Sequence, residues 1–301
     1  MERCSSKIKQ DNKMIDYKLH ENGWTVIIDN YDMRTATQDD INDIAKLLAT
    51  NTCVVIKKQS LTVEDEVKIA KMFKNPQQFH VDVPGTYDHD CYLGAEVPGS
   101  DKIALRVSGE KDEHGRTGLA GWTDEMVWHC NDPHDPNRKP LIWLYGVKGT
   151  AGSRTTWNNN ILSYNELDEQ KRKPLESLKL IMANWCKEEM DLGDAAPDTI
   201  DAYNPSLVMT NIAGKKGFFF SFLQISGFVG LTDEESKNII SQLTKHTTQE
   251  KYCYHHDWED GDIVIAEQWL GIHKRWPFAE IEKRTLHRIA FDFPDQDYSQ
   301  V

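Results

Sequence analysis

Gly261 to His273 reads GDIVIAEQWLGIH: a turn-forming Gly-Asp, a short β-branched run at Ile263, Val264 and Ile265, and a histidine eight residues beyond that run. A run of this length bounded by turn residues is a buried strand rather than a helix. Fifteen residues past His273, Arg288 stands in Leu286-His287-Arg288-Ile289, within a stretch that is otherwise apolar. A lone buried guanidinium is too costly to persist, so Arg288 needs an anionic partner. Upstream, Glu125 to Asp132 reads EMVWHCND and sets His129 just ahead of a turn-rich loop from Pro133 to Pro140.

Outward from these stretches the pattern repeats. Short apolar runs at 53–56, 103–107, 141–147, 217–222, 262–266 and 288–293 read as strands. Thr37-x-x-Asp40 and Thr62-x-x-Asp65 each open a helix with one apolar face, and Ser163-x-x-Glu166 and Thr232-x-x-Glu235 read as two further helix starts. Strands carry the candidate chemistry and helices lie outside them. The expected fold class is therefore mainly β with flanking helices, an antiparallel sandwich or barrel rather than alternating βαβ units.

A chain of 301 residues with no low-complexity linker and no internal repeat fits one domain, 1–301, with polar, frayed ends at about 1–15 and 296–301. No run of apolar residues is long enough for a membrane span, and no apolar segment follows the first charges. Six scattered cysteines without a CxxC pair read as reduced thiols, and the expected compartment is cytoplasmic. The net charge of −13 speaks against a phosphate-backbone partner and for a small-molecule one. Neither nucleic acid nor membrane is expected as a partner, and a homo-oligomer stays open.

His129 and His273 are the candidate metal ligands. Non-haem iron sites use two imidazoles and usually a carboxylate on one face of the metal, with the remaining positions open. Ligands two apart on a strand project to one side, so a histidine and the residue two beyond it grip the metal together. An arginine deep between the strands takes a distal carboxylate as a bidentate fork. On these residues alone a second reading stands beside the first: two core histidines, and an Arg288 that pairs with an internal acid.

Over about residues 20 to 293 the chain resembles the taurine dioxygenase-like (TauD/TfdA) family of Fe(II)/2-oxoglutarate dioxygenases. The likeness runs through Cys53 to Glu66 (CVVIKKQSLTVEDE), Asp112 to Arg116, Trp128-His129, and Gly152-Ser-Arg-Thr155-Thr156-Trp157 beside the family's GGDTxW. It continues through Gly230 to Ser236 (GLTDEES), Trp258 to Ile265 (WEDGDIVI), His273 and Leu286-His287-Arg288. The resemblance implies a double-stranded β-helix (jelly roll), iron on His129 and His273, and Arg288 on the distal carboxylate of 2-oxoglutarate. It places Thr155 on the co-substrate, with Thr156 as the one-residue slip. The implied reaction is hydroxylation or another oxidation of an unactivated C–H bond in a small molecule, using O2 and releasing succinate and CO2.

Two departures qualify it. The family's carboxylate ligand falls at Asn131, which is expected to meet the metal through its amide oxygen or a water; a bulge would instead turn Asp132 onto the iron. Glu267-Gln268-Trp269 stands where relatives have WDN. A radical halogenase, with chloride in the vacated position, and a catalytically silent binding protein are the alternatives. Of the remaining residues, Trp128, Trp157, Trp269 and Phe218 to Phe220 read as packing, and Cys130 as buried and inert. Arg106 reads equally as an ion-pair member or a substrate contact. His255 and His256 read as solvated loop residues, and His287 as facing the outer helices.

Overall fold

Side-chain alternation along a few strands decides what faces what in this chain, whose computed structural model describes residues 15–80, 82, 92–133, 135–182 and 204–301. Among them, seven strands form the larger sheet: β1 (Lys18–Leu19), β2 (Val26–Ile28), β3 (Cys53–Ile56), β4 (Leu105–Ser108), β6 (Leu141–Lys148), β13 (Ile263–Glu267) and β15 (Thr285–Phe291), in the order β1-β2-β3-β13-β6-β15-β4. Only β2 and β3 run parallel. A second sheet orders four strands as β12-β7-β14-β5: β5 (Met126–His129), β7 (Arg154–Asn158), β12 (Cys253–Asp257) and β14 (His273–Arg275). Two small antiparallel pairs complete the β structure, β8 (Leu180–Met182) with β11 (Ile225–Phe228) and β9 (Val208–Thr210) with β10 (Lys216–Phe218).

On β3, Val54 and Ile56 pack into the cluster under the helices, while Cys53 and Val55 pack between the sheets. The same period of two sends Ile263, Ile265, Ile289 and Phe291 outward and Val264, Ala266, Leu286 and Ala290 inward, against Trp157, Tyr254 and Trp258 of the second sheet. Arg288 shares the phase of Leu286 and Ala290, and so points between the sheets. The architecture is the double-stranded β-helix, with helices on the outer face of the larger sheet.

Helices α1 (Gln38–Asn51) and α2 (Val63–Met72) cover that face, each opened by a complete capping box, Thr37 with Asp40 and Thr62 with Asp65. Such a cap is worth about 1 kcal/mol. Helix α3 (Asn160–Glu166) corrects the sequence expectation: Asn159 caps it, Ser163 sits in its middle, and Glu166 ends it. Ser163 bonds backward to the Asn160 carbonyl instead of capping forward. A single turn, α4 (Glu169–Arg172), follows, and α5 (Asp233–Thr247) opens on the Thr232–Glu235 box as expected.

Two further expectations change. The run 217–222 is strand only to Phe218; Phe219 and Phe220 stay buried in a third cluster with Tyr164, Phe228 and Leu243, and a 3-10 turn begins at Phe222. The C-terminal residues are not frayed. Tyr298 is buried with its ring 5.6 Å from Phe293, and Gln296 donates to the Asn42 carbonyl at 2.8 Å. Residues 1–14, expected to fray, lie outside the described set, as do Cys4, Cys91 and Cys186; Cys53, Cys130 and Cys253 are free and buried. Among the described residues no helix is long and apolar enough to cross a membrane.

Candidate active site

His129 closes β5 and His273 opens β14, and the two are direct partners across the ladder, with ring centroids 4.3 Å apart. Burial pulls the His129 pKa down to about 4 and holds His273 well below the usual histidine range. Both imidazoles are therefore neutral at pH 7, the form that offers a lone pair to a metal. His129 Nδ1 lies 2.7 Å from the Val127 carbonyl oxygen, so Nδ1 carries the proton and Nε2 keeps its lone pair. Trp157 stacks on the His273 ring at 6.1 Å and fixes its plane. Gly271 lets the chain pass close before His273: a Cβ there would lie 2.9 Å from the Asn158 carbonyl oxygen.

Asn131 follows on the same cavity wall. Its backbone N–H and its Nδ2 both donate to Gln268 Oε1 at 3.0 Å, and Gln268 Nε2 donates onward to the Lys139 carbonyl at 2.9 Å. The Asn131 nitrogen is thus committed, and Oδ1 is the side-chain atom left for a metal. The two departures from the family pattern are in contact with each other. Among the described residues no three His, Cys, Asp or Glu side chains gather as a metal site.

Asp132 leaves the strand in the left-handed region, at φ 50°. Its Oδ2 accepts from Arg288 Nη2 at 3.2 Å and its Oδ1 from the Tyr92 hydroxyl at 3.4 Å. The expected anionic partner of Arg288 is therefore supplied by the chain itself. Arg284, four residues back and just ahead of β15, has none, and its guanidinium lines the same cavity. Arg284 is 2% exposed, donates from Nε to Ser153 Oγ at 3.1 Å, and has a buried Nη1 with no partner. No carboxylate pairs with it among the described residues, and burial, reinforced by the nearby charge of Arg275, pulls its pKa down to about 9. Thr155 lines the same cavity, its Oγ1 accepting from Trp258 Nε1 at 2.9 Å. Thr156 faces the other way, 2.7 Å from His255 Nδ1 and 2.8 Å from Trp276 Nε1, which removes the one-residue slip as a cavity contact.

The cavity between the sheets measures about 360 Å3, and Val107, Leu119, Trp122, Met126 and Leu144 give it an apolar wall. Arg275 holds the rim from β14. Its guanidinium donates to the carbonyls of Ala120, Trp122 (2.6 Å) and Asp124 (2.7 Å).

The model of the taurine catabolism dioxygenase TauD, TfdA family matches residues 16–290. The chain belongs to this family. It is 20% identical over 269 residues, 87% of this chain and 92% of the relative, to the alpha-ketoglutarate-dependent 2,4-dichlorophenoxyacetate dioxygenase of Cupriavidus pinatubonensis. It is 23% identical over 200 residues, 61% and 67% of the two chains, to pentalenolactone F synthase of Streptomyces arenae. Among solved structures, AAD-2 in complex with Mn(II) and N-oxalylglycine superposes with a TM-score of 0.75 at 16% identity, covering 94% of this chain and 99% of that one. A taurine dioxygenase from Burkholderia xenovorans gives 0.70 at 19% identity, covering 90% and 86%. This TauD/TfdA chain is an Fe(II)- and 2-oxoglutarate-dependent dioxygenase.

The cavity of this TauD/TfdA enzyme brings together His129, Asn131, Thr155, His273 and Arg288. Arg284 and Arg275 line it as well and escaped the sequence reading as site residues, while Gln268 reaches it through its contact with Asn131. Arg284 hides in the charged turn Glu280-Ile-Glu-Lys-Arg284, yet counting back by twos from Arg288 through Leu286 places it on the inward face. His255 and His256 lie in β12, not in a solvated loop: His256 is 2% exposed, with Nε2 3.2 Å from Asp262 and Nδ1 3.0 Å from the Tyr254 hydroxyl. A polar sequence misled there because its acids and hydroxyls are internal partners. His287 faces α2, where Nδ1 meets Glu66 at 2.7 Å. Arg106 donates to the Glu110 and Gly94 carbonyls, and Cys130 is buried with its backbone N–H on Ser221 Oγ.

Proposed function

We propose that His129 and His273 hold Fe(II) with Asn131 Oδ1 as a neutral neighbour, and that the distal carboxylate of 2-oxoglutarate lies on Arg284 beside Thr155. The enzyme then oxidises an unactivated C–H bond of a small molecule, with release of succinate and CO2. The observation that carries this reading is the buried Arg284 guanidinium, which has no carboxylate of its own and opens onto the cavity that holds both histidines. A bidentate carboxylate would satisfy the unpartnered Nη1 and restore the charge balance. Arg288, which the sequence nominated for this role, already carries Asp132.

When bound, the iron supplies the activation of O2 that the side chains cannot. The protein contributes neutral imidazoles held by Val127 and Trp157, a co-substrate anchor, and an apolar wall that excludes water from the reacting carbon. Anaerobic titration with Fe(II) and 2-oxoglutarate tests the assignment. His129→Ala and His273→Ala should each abolish metal binding, and a metabolite screen should find substrate-triggered succinate release in the parent. Retention of full metal affinity by both histidine variants would sink the site.

One observation favours a second reading. Asn131 removes the carboxylate from the metal face and turns its nitrogen to Gln268, which leaves a position that an anion from solution can take. A halogenase would show chloride-dependent turnover and a halogenated product; equal turnover with and without chloride excludes it.

A further inference from the structure

The wall of the cavity holds an ion pair of the protein's own making. Asp132 Oδ2 and Arg288 Nη2 are 3.2 Å apart, with side chains 17% and 5% exposed, and both line the cavity. Arg288 keeps a buried Nε with no partner, while the Asp132 carboxylate is the more open member. Asp132 Oδ1 also accepts from the Tyr92 hydroxyl, and under the function proposed above, on which this inference rests, 2-oxoglutarate lies on Arg284 and leaves Arg288 to the substrate. A substrate group reaching this pair meets two opposite charges side by side.

Charge balance decides what such a pair accepts. An anion bound to Arg288 would displace Asp132 and leave two carboxylates competing for one guanidinium, a like-charge arrangement that discriminates strongly in a desolvated site. A cation bound to Asp132 would strand Arg288 in the same way. A ligand carrying both charges exchanges one internal ion pair for two external ones, and nothing is left unpaired. We infer that Asp132 is the specificity-determining residue of this enzyme, and that the Asp132–Arg288 pair selects a zwitterion: an amino acid whose carboxylate goes to Arg288 and whose ammonium goes to Asp132.

The rest of the cavity sets the size and the side chain. At about 360 Å3 it lies at the small end of ligand sites and must hold the co-substrate too, so the substrate is a single small molecule. Val107, Leu119, Trp122, Met126 and Leu144 give it an apolar wall, which fits an apolar amino-acid side chain.

The test is a binding panel on the full chain loaded with Mn(II) and 2-oxoglutarate under anaerobic conditions, read by calorimetry. Leucine, methionine and phenylalanine are compared with their N-acetyl derivatives, which are anions, and their amides, which are cations. The free amino acids should bind at least about tenfold more tightly than either blocked form. Asp132→Asn, which keeps a residue tolerant of the φ 50° backbone, should reverse that order in favour of the N-acetyl anions. Tighter binding of the anions by the parent, no binding of any free amino acid, or an unchanged order in Asp132→Asn overturns the inference while Mn(II) and 2-oxoglutarate still bind. Failure to bind Mn(II) or 2-oxoglutarate at all takes down the proposed function with it.

Discussion

Two arginines enter one cavity from β15 and from the residue just ahead of it, and they live in opposite circumstances. Arg288 is matched by Asp132 and Tyr92; Arg284 has only a serine hydroxyl and leaves a nitrogen unbonded. A matched buried charge is part of the folded protein's own economy, whereas an unmatched one is a standing vacancy for a ligand of opposite sign. On the function proposed above, the difference separates an anchor for an obligatory anion from a point where the protein discriminates among incoming molecules.

The sharpest way to break this comparison is to delete each cation in turn. Arg284→Ala should weaken 2-oxoglutarate binding about 100-fold, and Arg288→Ala by less than about tenfold, in anaerobic titrations of the Mn(II)-loaded chain. Equal losses would mean that both arginines share the co-substrate. Stability should move with opposite signs. In chemical denaturation without ligands, Arg284→Met should stabilise by about 1–3 kcal/mol because it removes an unpaired charge. Arg288→Met should destabilise by about 3 kcal/mol because it strands Asp132.

A second unmatched group extends the comparison away from the cavity. Glu267 is buried with Asn211 Nδ2 at 3.0 Å on one oxygen and no partner on the other, and burial raises its pKa to about 8. An acid with a raised folded pKa contributes fully below its unfolded value and loses that contribution as pH climbs to the folded one. Stability should therefore fall by a few kcal/mol between about pH 4.5 and 8, and Glu267→Gln should flatten the curve. A smaller effect is expected at the metal: Asn131→Asp supplies a charged oxygen and should tighten Mn(II) binding about tenfold. Weaker binding in that variant would show that the Gln268 contact, not the oxygen, is what matters at this position.

How much of this was legible beforehand follows from what each signal depends on. The capping boxes at Thr37, Thr62 and Thr232 are local, so three helices could be read from four residues each. The strand Cys53–Ile56 and the inward histidines follow from period-two alternation and from motif spacing. Ser163 failed because the same hydroxyl serves equally well by bonding backward inside a helix. The partner of Arg288 was invisible for a different reason. Asp132 lies 156 residues away in sequence and was read only in relation to the metal, and the left-handed turn after Asn131 sends it across the cavity to Arg288. Arg284 was hidden by its charged neighbours, which are exposed while it is not.

The left-handed backbone at position 132 also bears on how this enzyme can change over generations. At φ 50° the residues that fit without strain are glycine, asparagine and aspartate, so drift at this site has very few places to go. Two of the three are uncharged, and either leaves the loop path intact while handing Arg288 to whatever anion is at hand. If Asp132 selects the substrate as inferred above, a lineage carrying this fold stands one replacement away from a different diet, with no rebuilding of the proposed metal centre or co-substrate anchor.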